Sequence, residues 1–154
     1  MQIQSAQRPL SVGDAYVAMQ GWDISLAKKF LAEREGFDCQ AVEEMSEEYK
    51  RFISLCAVHA TREMPLPISD RVDPLWHAHI LYTDDYVGMS RHLGVSYLHH
   101  APASGDELAA LEPHYNRTLA LYEQNFGKPS EKYWPPFAQI CGGSNCSCSG
   151  TGND

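Results

Sequence analysis

Five of the chain's seven histidines, His77, His79, His92, His99 and His100, fall between positions 77 and 100. A buried imidazole costs free energy unless its nitrogens find partners. Clustering at this density in an acidic chain therefore points to a site rather than to packing. Neutral imidazole is also the commonest protein ligand for zinc, copper, iron and nickel. Two segments carry the signal: VDPLWHAHILYTDDY over 72–86, and YLHHAP over 97–102.

Geometry sorts the ligands. On a helix, positions 77 and 79 point about 200° apart, so the two histidines cannot face one ion. Asp73 and His77, at i and i+4, share a face. In an extended segment adjacent side chains point to opposite sides, so one of His99 and His100 reaches the ion. The expected set is His77, His99 or His100, and Asp73, with His79 supporting it or approaching from another direction. Zinc leads as the metal, with copper and iron as alternatives. Asp73 before Pro74 reads equally as a plain helix cap. Trp76 reads as core, Tyr82 and Tyr86 as phenols near the ion, and His59 as a helix-face histidine. His92 and His114 read as surface residues.

A second candidate lies at the C-terminal end, in CGGSNCSCSG. Cys141, Cys146 and Cys148 follow a C-x4-C-x-C spacing that lacks the CxxC knuckle of structural zinc sites. As free thiolates they suit a soft metal, or its transfer to the histidine site. Cys39 and Cys56 fall in helical patterns and read as reduced core thiols. Cys56 with His59, at i and i+3 in an apolar stripe, reads as structure rather than a nucleophile pair. GxSxG, GxGxxG, Walker and HExxH motifs are absent from the sequence,.

The elements that must position these residues are helical. Residues 23–35 predict an amphipathic helix with Asp23 as cap, Ile24, Leu26, Phe30 and Leu31 as apolar stripe, and Gly36 as stop. The strongest periodicity runs over 39–60 through Val42, Met45, Tyr49, Phe52, Cys56 and His59, a central helix. Glu43, Glu44, Glu47 and Glu48 form its expected solvated face. Further helices are predicted over 74–82 and 84–93, with a turn at 106–111. A last one runs from Pro113 to Phe126 with Tyr115, Leu119, Tyr122 and Phe126 inward. KPSEKYWPPFAQ reads as an extended aromatic strap. The expected architecture is an all-α bundle of five or six helices over 1–141, followed by a flexible Gly/Ser/Cys tail over 142–154.

The chain has 154 residues, 12 Lys+Arg against 20 Asp+Glu, and a formal charge of −8. That length suits one domain, and the charge argues against nucleic acid or an anionic membrane as partner. No apolar run nears the roughly 20 residues a bilayer needs, and the N-terminus lacks the pattern of a secretory signal. A soluble, cytoplasmic protein is expected; no feature sets its oligomeric state.

The run YKRFISL (49–55), VDPLWHAHILYTDDY (72–86), LGVSYLHHAP (93–102) and the Gly- and Cys-bearing end together resemble the glycine-rich domain-containing protein-like family. These are bacterial proteins related to plant glycine-rich domain proteins. The matching positions are Trp76, His77, Tyr86, His99 and His100. His79 matches the plant form, whereas bacterial relatives often carry an aromatic there, and the tail is shorter than the Cys/Gly repeats of many relatives. The resemblance implies an all-helical domain in which the WH and HH segments form one site, without implying a metal. Three readings follow from the residues: a binder of a divalent transition metal, a metal-dependent enzyme whose open position activates water or O2, and a metal-free interaction module in which Trp76, Trp134 and the tyrosines take a protein.

Overall fold

The computed structural model describes residues 11–101 and 106–140. Among these the chain forms eight helices and no strand: α1 (Val12–Gln20), α2 (Ser25–Arg34), α3 (Cys39–His59), α4 (Asp73–Leu81), α5 (Thr83–His92), α6 (Asp106–Ala110), α7 (Glu112–Phe126) and α8 (Phe137–Ile140). The all-α class is as expected, with more helices than five or six. The expected tail over 142–154 lies outside the described residues.

The 21-residue α3 is the axis. Asp38 caps it, its carboxylate accepting the Ala41 N–H at 3.2 Å, and Val42, Met45, Tyr49, Phe52 and Cys56 are buried along one stripe,. Around it pack α1, α2, α4 and α7, while α5 packs on α4. Two of the additional helices are short. In α1 the Ser11 hydroxyl accepts the Asp14 N–H at 3.0 Å, and Val12, Ala15 and Met19 bury at i, i+3 and i+7,. The single turn α8 closes the strap.

Some side chains depart from expectation. Leu26 is 52 % exposed, because Ala27 and Leu31 take the inner face of α2. Asp23 is not the cap residue of α2, although its carboxylate accepts the Ser25 N–H at 2.8 Å. Cys39 is exposed at the first position of α3, so only Cys56 is a core thiol. On α7 the inner positions go to Tyr115, Thr118 and Tyr122, with Leu119 and Phe126 half-buried. Gly127, at φ 85°, ends that helix in a conformation side chains disfavour,.

The acidic face of α3 is not merely solvated. Glu48 accepts the Tyr122 hydroxyl at 2.6 Å and the Trp134 indole N–H at 2.8 Å. Glu44 accepts Tyr133 and Lys132, both at 2.6 Å. Glu47 takes hydrogen bonds from Tyr16, Gln20 and Arg51. The glutamates therefore pin α1, α7 and the strap to the central helix.

Burial works to raise the Glu47 carboxyl, but hydrogen bonds from Tyr16 and Gln20, with the Arg51 guanidinium, hold it below its ordinary 4.5. On acidification the unfolded chain binds this proton first. The stability Glu47 contributes is thus complete above about pH 4.5 and is lost as pH falls through the folded-state value. Glu47→Gln should lower stability at neutral pH and flatten its decline as pH falls below about 4.5,, as read by urea unfolding across pH. Parallel pH curves for the two proteins would exclude Glu47 as a source of that slope.

Candidate metal centre

Helix α4 opens with Asp73, preceded by Val72, and Pro74 occupies its first turn, where a missing N–H costs nothing,. Asp73 is therefore not the cap residue. Its side chain is 5 % exposed and lies between two imidazoles: Oδ2 is 3.1 Å from Nε2 of His77, and Oδ1 is 2.9 Å from Nε2 of His100. One ligand atom from each of Asp73, His77 and His100 lies within 4.8 Å of the other two, a group that can hold a metal ion. Among the described residues no other cluster of His, Cys, Asp and Glu has this property. In a tetrahedron with bonds of 2.0–2.1 Å, neighbouring ligand atoms sit about 3.3 Å apart, so the two short separations need only a slight opening.

Burial across the site is lopsided. His77 is 55 % exposed at the side chain, whereas His100 and Asp73 are each 5 % exposed. Asp73 Oδ1 and both ring nitrogens of His100 are buried without a hydrogen bond. Oδ1 and Nε2 are close enough to pair, yet they are not aligned for an N–H to bridge them. Leaving such groups unmatched costs about 1–3 kcal/mol each. A cation between them satisfies both at once, leaving His100 Nδ1 as the one atom of the three without a partner.

The HH segment is held by an aromatic scaffold. The His100 ring stacks on Trp76 at 4.1 Å and 15°, and the Trp76 indole N–H donates to the Tyr86 hydroxyl at 2.9 Å. Tyr86 in turn donates to the Leu98 carbonyl. Burial pushes the Tyr86 phenol far above its ordinary value, with the Trp76 hydrogen bond only partly opposing, so it stays a proton donor. Tyr86 thus fixes the backbone two residues before His100 rather than serving as a reactive phenol. Trp76 is fully buried core that also forms the floor of the site.

His79 faces away. Its Nδ1 pairs with the Tyr49 hydroxyl at 2.7 Å and its Nε2 with Asp85 at 2.6 Å, and Asp85 also accepts the Trp22 indole at 3.3 Å. Burial lowers the His79 pKa against the pull of Asp85, favouring the neutral ring. With both nitrogens engaged, it joins α3, α4 and α5 and stands outside the ligand group. His99 is exposed, its ring edge-on to Tyr97 at 4.7 Å. Tyr82 lies edge-on to Phe30 at 6.4 Å. His59 is in the last turn of α3, where its carbonyl accepts Arg117 at 3.3 Å. None of these three belongs to the ligand group. His92 is exposed as expected, its Nε2 3.1 Å from the Ala18 carbonyl. Cys141, Cys146 and Cys148 lie outside the described residues.

A cleft of about 350 Å³ opens between α2 and α4, lined by Phe30, Leu31, Glu35, Phe37, Pro74, His77, Ala78 and Leu81. It was not foreseen, because Phe30 and Leu31 read simply as core stripe.

A family model matches residues 13–116, more than half of the chain and all of Asp73, His77 and His100. The chain belongs to the UCP032817-like family. Its matched span reaches from α1 into the first turns of α7 and stops short of the aromatic strap. No curated protein and no solved structure matches the chain significantly. No helix among the described residues is long and apolar enough to cross a membrane.

Proposed function

We propose that this UCP032817-like protein binds a divalent transition metal through Asp73 Oδ, His77 Nε2 and His100 Nε2, with zinc ahead of iron and copper. The carrying observation is the pair of buried atoms, Asp73 Oδ1 and His100 Nε2, that converge without a hydrogen bond. Two imidazoles with one carboxylate is the ligand set of open zinc sites and of non-haem iron centres. Zinc leads because such a site asks for no redox partner and no strict geometry from the ion. Three protein ligands leave a fourth position for water, which a bound zinc would make markedly more acidic. A metal binds such ligands as neutral imidazole and ionised carboxylate, so uptake should weaken as the medium is acidified.

The kinship with glycine-rich domain-containing protein-like proteins belongs to the same proposal. It rests on YKRFISL, the WH pair at 76–77 and the HH pair at 99–100. A cytoplasmic location, which would give access to the cell's zinc, is likewise proposed.

Untagged full-length protein should carry close to one equivalent of transition metal by elemental analysis, or take it up on titration. Less than about 0.1 equivalent with no uptake would overturn the reading. Truncation after Cys141 should leave the stoichiometry intact; loss on truncation would move the metal to the cysteine-bearing end.

A further inference from the structure

Of the three ligand side chains, two are buried and the third is not. His77 is thus the ligand side chain by which the site faces solvent. That imidazole also lines the cleft between α2 and α4, so the approach to the ion leads through it. The walls there are Phe30, Leu31, Phe37 and Leu81, and the single carboxylate is Glu35. Leu26 and Leu81, 52 % and 63 % exposed, extend the apolar surface outward, where both also border the shallow pocket at Tyr82. At about 350 Å³ the cleft lies near the small end of ligand sites, which run from about 300 to 1,000 Å³,.

We infer that this cleft takes a small, mainly apolar molecule bearing one metal-coordinating head group, which completes the ion at Asp73, His77 and His100 while its body lies between α2 and α4. The inference rests on the metal reading above. Glu35 sets its charge rule. A second anionic group along the body would leave water for the apolar walls and face the exposed Glu35 carboxylate at the edge of the cleft,, so the ligand carries its negative charge only at the head.

The test uses the full chain loaded with Co2+, whose visible bands report its coordination. Acetohydroxamate and octanohydroxamate share one head group and differ in apolar length. Each methylene buried in the cleft raises affinity about fourfold, so octanohydroxamate should bind at least about tenfold more tightly. The same chain ended by a carboxylate should lose that gain. Leu81→Asp, at an exposed position, should cut the ratio to below about threefold on the protein that holds Co2+.

Equal affinities for the two hydroxamates would overturn the inference while leaving the metal site standing. Octanohydroxamate binding as tightly to cobalt-free protein would overturn the role of the head group. Failure to take up Co2+ or Zn2+ at all would overturn both readings together.

Discussion

Asp73→Asn should abolish zinc binding without unfolding the protein. The substitution keeps the size and shape of a side chain that is 5 % exposed. It removes the one anion between two imidazoles and exchanges an oxygen for an amide nitrogen that has no lone pair to give. Losing a direct ligand should cost more than the roughly 10–100-fold lost with an outer hydrogen-bond partner. The effect can be read as stability. An ion that binds only the folded state at 100 times its Kd adds about 2.7 kcal/mol, and the variant should gain almost nothing at the same zinc concentration. Melting with and without zinc measures this directly; equal zinc-induced rises in Tm would remove Asp73 from the site. His77→Ala serves as a companion, since truncating a half-exposed ring leaves no buried cavity. It should lose the zinc effect, while the zinc-free protein stays folded and weakens by about 1–3 kcal/mol, because Asp73 Oδ2 loses the imidazole beside it,.

The two variants also show how much of the site is legible in the amino-acid sequence. Asp73 and His77 could be paired from spacing alone, because i and i+4 on a helix dictate a shared face. The same arithmetic turned His79 away from His77, and in the structure it does face the Tyr49–Asp85 side. Between His99 and His100 the alternation of an extended chain says that one joins, not which one. That choice is made by the stacking on Trp76 and by the tie from Tyr86 to Leu98, contacts between residues 10 to 24 positions apart. The glutamates of α3 misled for a related reason. Their spacing describes a helix surface, whereas Tyr16, Tyr122, Tyr133 and Trp134, which cover it, come from the two ends of the chain. Helix α1 carried a readable cap in Ser11 and Asp14, but its inner residues include only a small Ala15 between Val12 and Met19. Local patterns thus yielded helices and faces, while closure of the site depended on long-range aromatic contacts.

Tyr86→Phe tests that closure, and it should be among the most damaging single-atom changes available. The ring remains, and with it the edge-on contacts to His79 at 5.3 Å and Tyr97 at 5.4 Å. What goes is the hydroxyl that accepts from Trp76 and donates to Leu98, both buried. Each group left unmatched costs about 1–3 kcal/mol, so the loss should total roughly 2–6 kcal/mol, a large part of the 5–15 kcal/mol by which a domain is ordinarily stable. Without the tie from Tyr86, the backbone at Leu98 should be held less firmly, and His100, two residues on, with it. Zinc affinity should consequently fall about tenfold or more, although no ligand has been altered. Tyr49→Phe separates this from general weakening: it breaks the buried network at His79, costing about 1–3 kcal/mol, yet should leave zinc affinity near its original value. If Tyr86→Phe is destabilised but binds zinc as tightly as the original, the ion rather than the Trp76–Tyr86–Leu98 chain places His100. The unmatched atoms at Asp73 and His100 would then mark a site that its metal assembles.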